Sequence, residues 1–88
     1  MNQVLKERVY GMGTRFHVEY MANLGGMNEE ERAVLMLLHE KKKDKYIEDT
    51  LSLSKTTRER VESAIAAKLL LAVFQCINYH IDHADNID

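Results

Sequence analysis

One stretch decides how this chain folds: YIEDTLSLSKTTRERV, residues Tyr46–Val61. It predicts a short helix, a tight turn and a second, longer helix that begins near Lys55. Ser54 is placed to cap the second helix, because a serine hydroxyl accepts a hydrogen bond from a backbone N–H of the first turn. Three apolar side chains are expected to point inward across the joint: Ile47, Leu51 and Leu53. This is the layout of a helix-turn-helix over about residues 45–65.

The rest of the chain is also predicted to be helical. The whole sequence of 88 residues contains no proline, and strong helix formers dominate it. We therefore expect a single compact all-α domain of about four helices, with a helix-turn-helix and a long C-terminal helix. The pair Gly25-Gly26 is the clearest internal stop. It separates an N-terminal helical segment, residues 1–25, from the helix-turn-helix domain, residues 26–88.

The first two predicted helices follow from spacing and capping. Apolar residues at spacings of 4, 3, 4 and 4 trace one helix face: Leu5, Val9, Met12, Phe16 and Tyr20. Gly11 and Gly13 interrupt that pattern, so either two shorter helices or one kinked helix fits it. Asn28 and Glu31 form a predicted capping box that opens the next helix. The core face of this helix is predicted to be Val34, Leu35, Leu37 and Leu38. Asp44 is the expected N-cap of a short helix that ends near Leu51.

The last helix is expected to run from Lys55 to about His80 and to carry two apolar stripes. One stripe is Val61, Ile65, Leu69, Ala72 and Cys76, and the other is Ala66, Leu70, Val73, Ile77 and Ile81. A helix that is apolar around most of its girth is usually buried around most of its girth. At ~1.5 Å per residue, the predicted helix from Lys55 to about His80 is longer than one small domain needs. We therefore expect its C-terminal half to form a homodimer through Leu69, Leu70, Val73, Phe74 and Ile77.

The charge pattern favours a small nucleic-acid contact face in an otherwise acidic protein. The net charge is −2, yet residues 41–60 hold seven of the twelve Lys and Arg residues against four acids. Phosphate contacts require cations, so the basic middle of the chain is the region expected to meet DNA. Lys43, Lys45 and Lys55 are the predicted phosphate anchors. The predicted major-groove readers are Thr56, Thr57, Arg58 and Arg60.

Residues 27–69 resemble a sigma-factor region 4 or LuxR-type unit. More closely, Leu53-Ser54-Lys55-Thr56-Thr57-Arg58-Glu59-Arg60-Val61, with Ala64-Ile65, is similar to the C-terminal part of ArpU-type phage late transcriptional regulators. The resemblance implies a DNA-binding regulator whose second helix lies in the major groove and contacts DNA through Lys55, Thr56, Thr57, Arg58 and Arg60. Two positions depart from the pattern. Glu48 stands where a small alanine is usual, and Arg58 stands where an apolar or aromatic residue is frequent.

The sequence therefore predicts a homodimeric regulator that binds double-stranded DNA, with a possible protein partner in the transcription machinery. The alternative is a small helical interaction protein, such as an inhibitor or anti-activator of a host regulator, that binds no DNA. Salt-dependent binding to DNA distinguishes these two functions.

Other residue patterns predict no further activity. Cys76, His80 and His83 lie at spacings of four and three, but a closed zinc site needs a fourth ligand, so no metal or other cofactor is expected. No pair of residues is spaced as a catalytic dyad, and we do not expect an enzyme. The lone cysteine fits a cytoplasmic location, and no signal peptide is expected. The apolar run 65–77 is shorter than the ~20 residues of a membrane span, so no membrane partner is expected.

Overall fold

The chain forms helices only, over the part that the structure describes. A computed structural model describes residues 3–84, with side chains as far as Asn78. These residues form five helices and no strand: α1 Gln3–Tyr10, α2 Arg15–Leu24, α3 Glu29–His39, α4 Asp44–Leu51 and α5 Lys55–Ala84. The all-α prediction is confirmed. The count is five rather than about four, because the N-terminal segment divides into two helices.

The division between α1 and α2 changes which side chains face the core. The Thr14 hydroxyl caps α2 by accepting a hydrogen bond from the His17 backbone N–H, at 3.1 Å. The helix therefore restarts with a new phase after Gly13. The face predicted from the spacing holds as far as Met12, but Phe16 is 78% exposed and Tyr20 is also exposed. Their places in the core are taken by Val18, Met21 and Ala22.

Helix α3 lies at the centre of the fold and contacts each of the other four described helices. Its start is the predicted capping box. The Glu31 backbone N–H donates to the Asn28 side chain, and the Asn28 backbone N–H donates to the Glu31 carboxylate, both at 2.8 Å. The inner face of α3 consists of Val34, Leu35 and Leu38, all fully buried. These residues join side chains from α1, α2, α4 and α5 in one hydrophobic core.

Two glycines allow α2 to turn sharply into α3 while packing closely on α5. Gly26 has a φ of +69°, in the left-handed region that side chains other than glycine rarely adopt. Gly25 lies directly against α5, where a Cβ would come within 2.5 Å of the Lys68 backbone oxygen. The side chain of Lys68 reaches back to the same corner and donates to Glu31 at 2.7 Å. Lys68 thus joins α5 to the α2–α3 turn through both its backbone and its side chain.

Helices α4 and α5 are joined by a three-residue turn. Ser52 is left-handed, with φ +54°, and the backbone N–H of Leu53 donates to the Glu48 carbonyl at 2.9 Å. Lys43, rather than the predicted Asp44, occupies the N-cap position of α4 and makes no side-chain cap. Asp44 instead begins the helix and lies 3.1 Å from the Lys6 ammonium group of α1. From the turn, α5 continues for 30 residues and lengthens the molecule to 53 × 21 × 21 Å.

The Glu31–Lys68 pair should make the fold sensitive to acid. Burial alone would raise the pKa of Glu31, but hydrogen bonds from Lys68 and the Asn28 backbone outweigh it and hold the pKa below the ordinary 4.5. A carboxyl whose pKa is lower in the folded state stabilises the fold above its unfolded pKa and loses that contribution as the pH falls through its folded value. Urea unfolding between pH 6 and pH 3 should therefore show a loss of stability that begins near pH 4.5. Glu31→Gln should reduce this loss, whereas Glu30→Gln, a change to an exposed carboxylate in the same turn, should leave it unchanged.

Candidate functional site

The start of α5 is fixed by Ser54. Its hydroxyl oxygen accepts a hydrogen bond from the Thr57 backbone N–H at 3.1 Å, and the same hydroxyl donates to Thr57 Oγ1 at 2.9 Å. The predicted serine cap is therefore confirmed. Because the cap orients the first turn, Lys55 and Thr56 face solvent, while Thr57 is half-buried by its own contact with the cap.

Arg58 occupies the inner face of the α4–α5 joint and is only 3% exposed. Its Nε donates to Glu48 Oε2 on α4 at 2.7 Å. Its Nη1 donates to both carboxylate oxygens of Glu62, one turn further along α5, at 2.9 Å each. The Asp44 carboxylate lies 3.7 Å from the same nitrogen. The guanidinium group thus bridges the two helices through carboxylates on both of them.

The charge of Arg58 is stabilised by these carboxylates. Burial alone would lower the pKa of Arg58, but the hydrogen bonds to Glu48 and Glu62 and the charge of Asp44 raise it above the ordinary value. Two cations, Arg58 and Lys6, here face four carboxylates, those of Asp44, Glu48, Glu59 and Glu62. Asp44 Oδ1 is buried and makes no hydrogen bond, although Lys6 lies within ion-pair distance of it. Lys6 therefore acts on this carboxylate through charge rather than through a directed hydrogen bond.

The position of Arg58 corrects its predicted role in reading DNA bases. Its Nε and Nη1 donate to Glu48 and Glu62 inside the joint, and its Nη2 lies 4.0 Å from the Glu59 carboxylate. The two positions that depart from the ArpU-type pattern are in direct contact with each other. Glu48 takes the place of a small residue at the helix crossing, and Arg58 neutralises it. An Arg and a Glu four residues apart on one helix face was the sequence signal for this arrangement.

The other predicted DNA-contact residues lie at the surface. Lys43, Lys45, Lys55, Thr56 and Arg60 are exposed. Lys45 pairs with Asp49 one turn along α4, at 3.3 Å. Ser63, which was not among the predicted readers, is exposed at helical spacing from Thr56 and Arg60. Spacings of four and three place these three side chains on one outer face of α5, opposite the buried Arg58 and Glu62.

The C-terminal half of α5 is a second surface feature. We call residues 70–77 the stem; it carries the exposed apolar side chains Leu70, Leu71, Val73, Phe74 and Ile77. Four of the five predicted dimerisation residues belong to it. The fifth, Leu69, is only 2% exposed and packs in the core. The stripe of Val61, Ile65, Leu69 and Ala72 supplies the core, and the stem lies outside it.

The suggested metal ligands lie mostly beyond the described side chains. Cys76 is a half-buried free thiol, and the side chains of His80 and His83 fall outside the described region. As far as side chains are described, no three His, Cys, Asp or Glu residues converge as a metal site.

Helix α5 also has the length and composition of a membrane span. Residues 55–78 pass that test, which the shorter run 65–77 considered in the sequence did not. The core helix of a protein in water passes the same test when it is mostly buried; the inner face of α5 joins a core that includes Ile65 and Leu69, but only 28% of the apolar window is buried. Length and composition alone are weak evidence for a membrane location.

Comparison of the chain with protein-family models, curated proteins and solved structures found no match.

Proposed function

We propose that this protein is a transcriptional regulator that binds double-stranded DNA as a homodimer, with α4 and α5 as a helix-turn-helix. One observation carries the proposal. The inner face of the first turns of α5 is fixed to α4 by Arg58, while Lys55, Thr56 and Arg60 remain exposed on the outer part of the same turns. A reading helix requires this division, because one side must be held rigidly while polar donors on the other reach base edges.

The lysines around the start of α4 support the proposal as phosphate anchors. Lys43 and Lys45 are exposed at the start of α4, and Lys42 lies 4.9 Å from the centre of the Tyr46 ring. A cation over an aromatic face loses conformational freedom but keeps its charge, so it can still face a phosphate. Asp49 offsets part of the charge of Lys45. Contacts from one subunit are therefore few, and two subunits on one duplex would double them.

Base reading is assigned to the outer face of α5. Arg60 can form two hydrogen bonds to a guanine edge, and the hydroxyls of Thr56 and Ser63 can donate to or accept from neighbouring bases. This set replaces Arg58 by Ser63 among the predicted readers and leaves out Thr57, which is half-buried and accepts a hydrogen bond from Ser54. Glu59 lies within about one helical turn of both Thr56 and Ser63, and its carboxylate can accept a hydrogen bond from a cytosine amino group.

Salt and substitution test this function together. With three phosphate contacts per subunit, from Lys43, Lys45 and Lys55, a dimer should lose about 1,000-fold in affinity for duplex DNA between 50 and 200 mM salt. Arg60→Ala should weaken binding to a selected site by about 1–3 kcal/mol without unfolding the protein. Arg15→Ala is the matched control, because Arg15 is also exposed but pairs with Glu19 on α2. Fluorescence anisotropy on DNA selected from random sequence measures both effects.

Absence of salt-dependent DNA binding would favour the second candidate function, a helical interaction protein that binds no DNA. The exposed stem supports that alternative, since a row of apolar side chains suits a protein surface. No saturable DNA binding at 50 mM salt, with a folded protein, would overturn the DNA-binding proposal. Equal affinity of the Arg60→Ala and wild-type proteins would remove Arg60 from the reading face.

A further inference from the structure

An apolar groove lies beside the stem. It has a volume of about 450 Å³ and is formed where the break between α1 and α2 faces α5. Its apolar walls include Met12, Met21, Leu70 and Val73, and its polar groups come from Arg8 and His17. Leu70 and Val73 belong to both the groove and the stem. Any partner that covers the stem on this side therefore also covers the groove.

The stem supplies nearly the apolar area of a standard dimer interface. Its five exposed apolar side chains present on the order of 450 Å², and about 65% of the ~800 Å² that each partner buries in a homodimer interface is apolar. The groove next to the stem supplies apolar area that is already concave. An apolar helix laid along this surface would fill the groove and cover the stem at the same time.

The charges at the groove and in the last residues of the chain are complementary. Arg8 and His17 are exposed at the groove, and among the described residues no carboxylate pairs with Arg8. After Lys68 the sequence contains no lysine or arginine, while residues 79–88 contain Asp82, Asp85 and Asp88. A second copy of α5 therefore offers both features that the groove requires: a row of apolar side chains, and acids that follow it in the sequence.

We infer that the groove is the docking site for the α5 helix of a second copy of this chain. The two helices run antiparallel, so that the C-terminal end of α5 in each copy approaches Arg8 and His17 of the other. This inference rests on the homodimer of the proposed function and identifies the groove and α5 as the surfaces that form its interface. An antiparallel arrangement has two-fold symmetry, so each contact occurs twice.

Charge reversal and its rescue test the inference. The Kd of the dimer is measured by sedimentation velocity on the full chain without DNA. Arg8→Glu should weaken the dimer about tenfold or more, because like charges then face each other at two symmetric places. The double change Asp82→Lys and Asp85→Lys should weaken it similarly. A chain that carries all three changes should recover most of the wild-type affinity, which a loss of folding would not allow.

A substitution in the stem completes the test. Phe74→Lys should give a monomer that remains helical by circular dichroism. Phe16→Lys is the matched control, because Phe16 is an exposed phenylalanine that does not line the groove, and it should leave the dimer intact.

Three results would overturn the inference: a monomeric mass for the wild-type protein at 100 µM, a dimer insensitive to every charge reversal, or a monomer that floats with phosphatidylcholine vesicles through its stem. None of these measurements includes DNA, so they test the dimer interface separately from DNA binding. A monomer that still binds a half-site would contradict the proposed interface but not the DNA-binding proposal.

Discussion

Replacing Arg58 with leucine should destabilise the fold by about 3–5 kcal/mol, a large share of the ~5–15 kcal/mol that stabilises a typical domain. The substitution leaves Glu62, which is 1% exposed, and the neighbouring Glu48 without their cation. A buried carboxylate without a partner must either recruit water or become protonated, and both cost free energy. Urea unfolding followed by circular dichroism at pH 7 measures the effect.

Two further variants separate the charge network from the side chain itself. Arg60→Leu removes an exposed arginine from the same helix turn and should change the stability by less than about 0.5 kcal/mol. The triple variant Glu48→Ala, Arg58→Leu and Glu62→Leu removes Arg58 together with the two carboxylates to which it donates, leaves Asp44 paired with Lys6, and should recover most of the loss. It also restores a small residue and an apolar residue at the two positions that depart from the ArpU-type pattern. Wild-type stability in Arg58→Leu alone would contradict the buried network.

Gly25→Ala should destabilise the protein by about 1–3 kcal/mol through overpacking at the α2–α5 contact. The new Cβ would lie 2.5 Å from the backbone oxygen of Lys68 and 3.1 Å from its carbonyl carbon, so the two helices would have to separate. That separation also stretches the hydrogen bond from Lys68 to Glu31. Urea denaturation at pH 7 measures the loss of stability. Repeating it between pH 6 and pH 3 measures how far the Glu31–Lys68 hydrogen bond is weakened.

Gly13→Ala is the control for this prediction. A Cβ at Gly13 meets nothing within 4 Å, and its backbone is not left-handed. Alanine there should leave the stability unchanged or raise it by about 0.4–1 kcal/mol, because the unfolded chain loses conformational freedom. If both glycine variants behaved alike, close packing at Gly25 would not be the cause.

The helix boundaries that could be predicted from the sequence depend on nearby residues. The Asn28–Glu31 capping box and the Ser54 cap each join positions three residues apart, so the sequence pattern contains the whole interaction. The apolar face of α3 was predictable for the same reason. The phase of α2 was not, because the spacing was followed across Gly11 and Gly13, whose effect on a helix depends on what surrounds them.

Features that depend on distant partners could not be predicted. The contact of Gly25 with Lys68 joins residues far apart in the sequence. Arg58 looked like a DNA-contact residue because nothing local showed that α4 would bring Glu48 against it. The two stripes of α5 were visible in the sequence, but which of them is buried depends on the face against which α2 and α3 pack: Leu69 lies in the core, whereas the neighbouring Leu70 is exposed. Binding to DNA and dimerisation remain predictions.

Because α5 is one continuous helix, its length would set the distance between the DNA-contacting turns of the two subunits. A single helix carries the exposed first turns, the core stripe and the stem, with no proline or glycine between Lys55 and Ala84. In an antiparallel pair, the distance between the two α5 N-termini is set by the residue at which the helices cross. Moving that residue by one position changes the distance by about 3 Å, twice the helical rise. A crossing at Ile77 places Ala84 of one copy opposite Leu70 of the other and separates the N-termini by about 66 Å, which is nearly two turns of DNA. The spacing of half-sites in a selected operator would then report where the two helices cross.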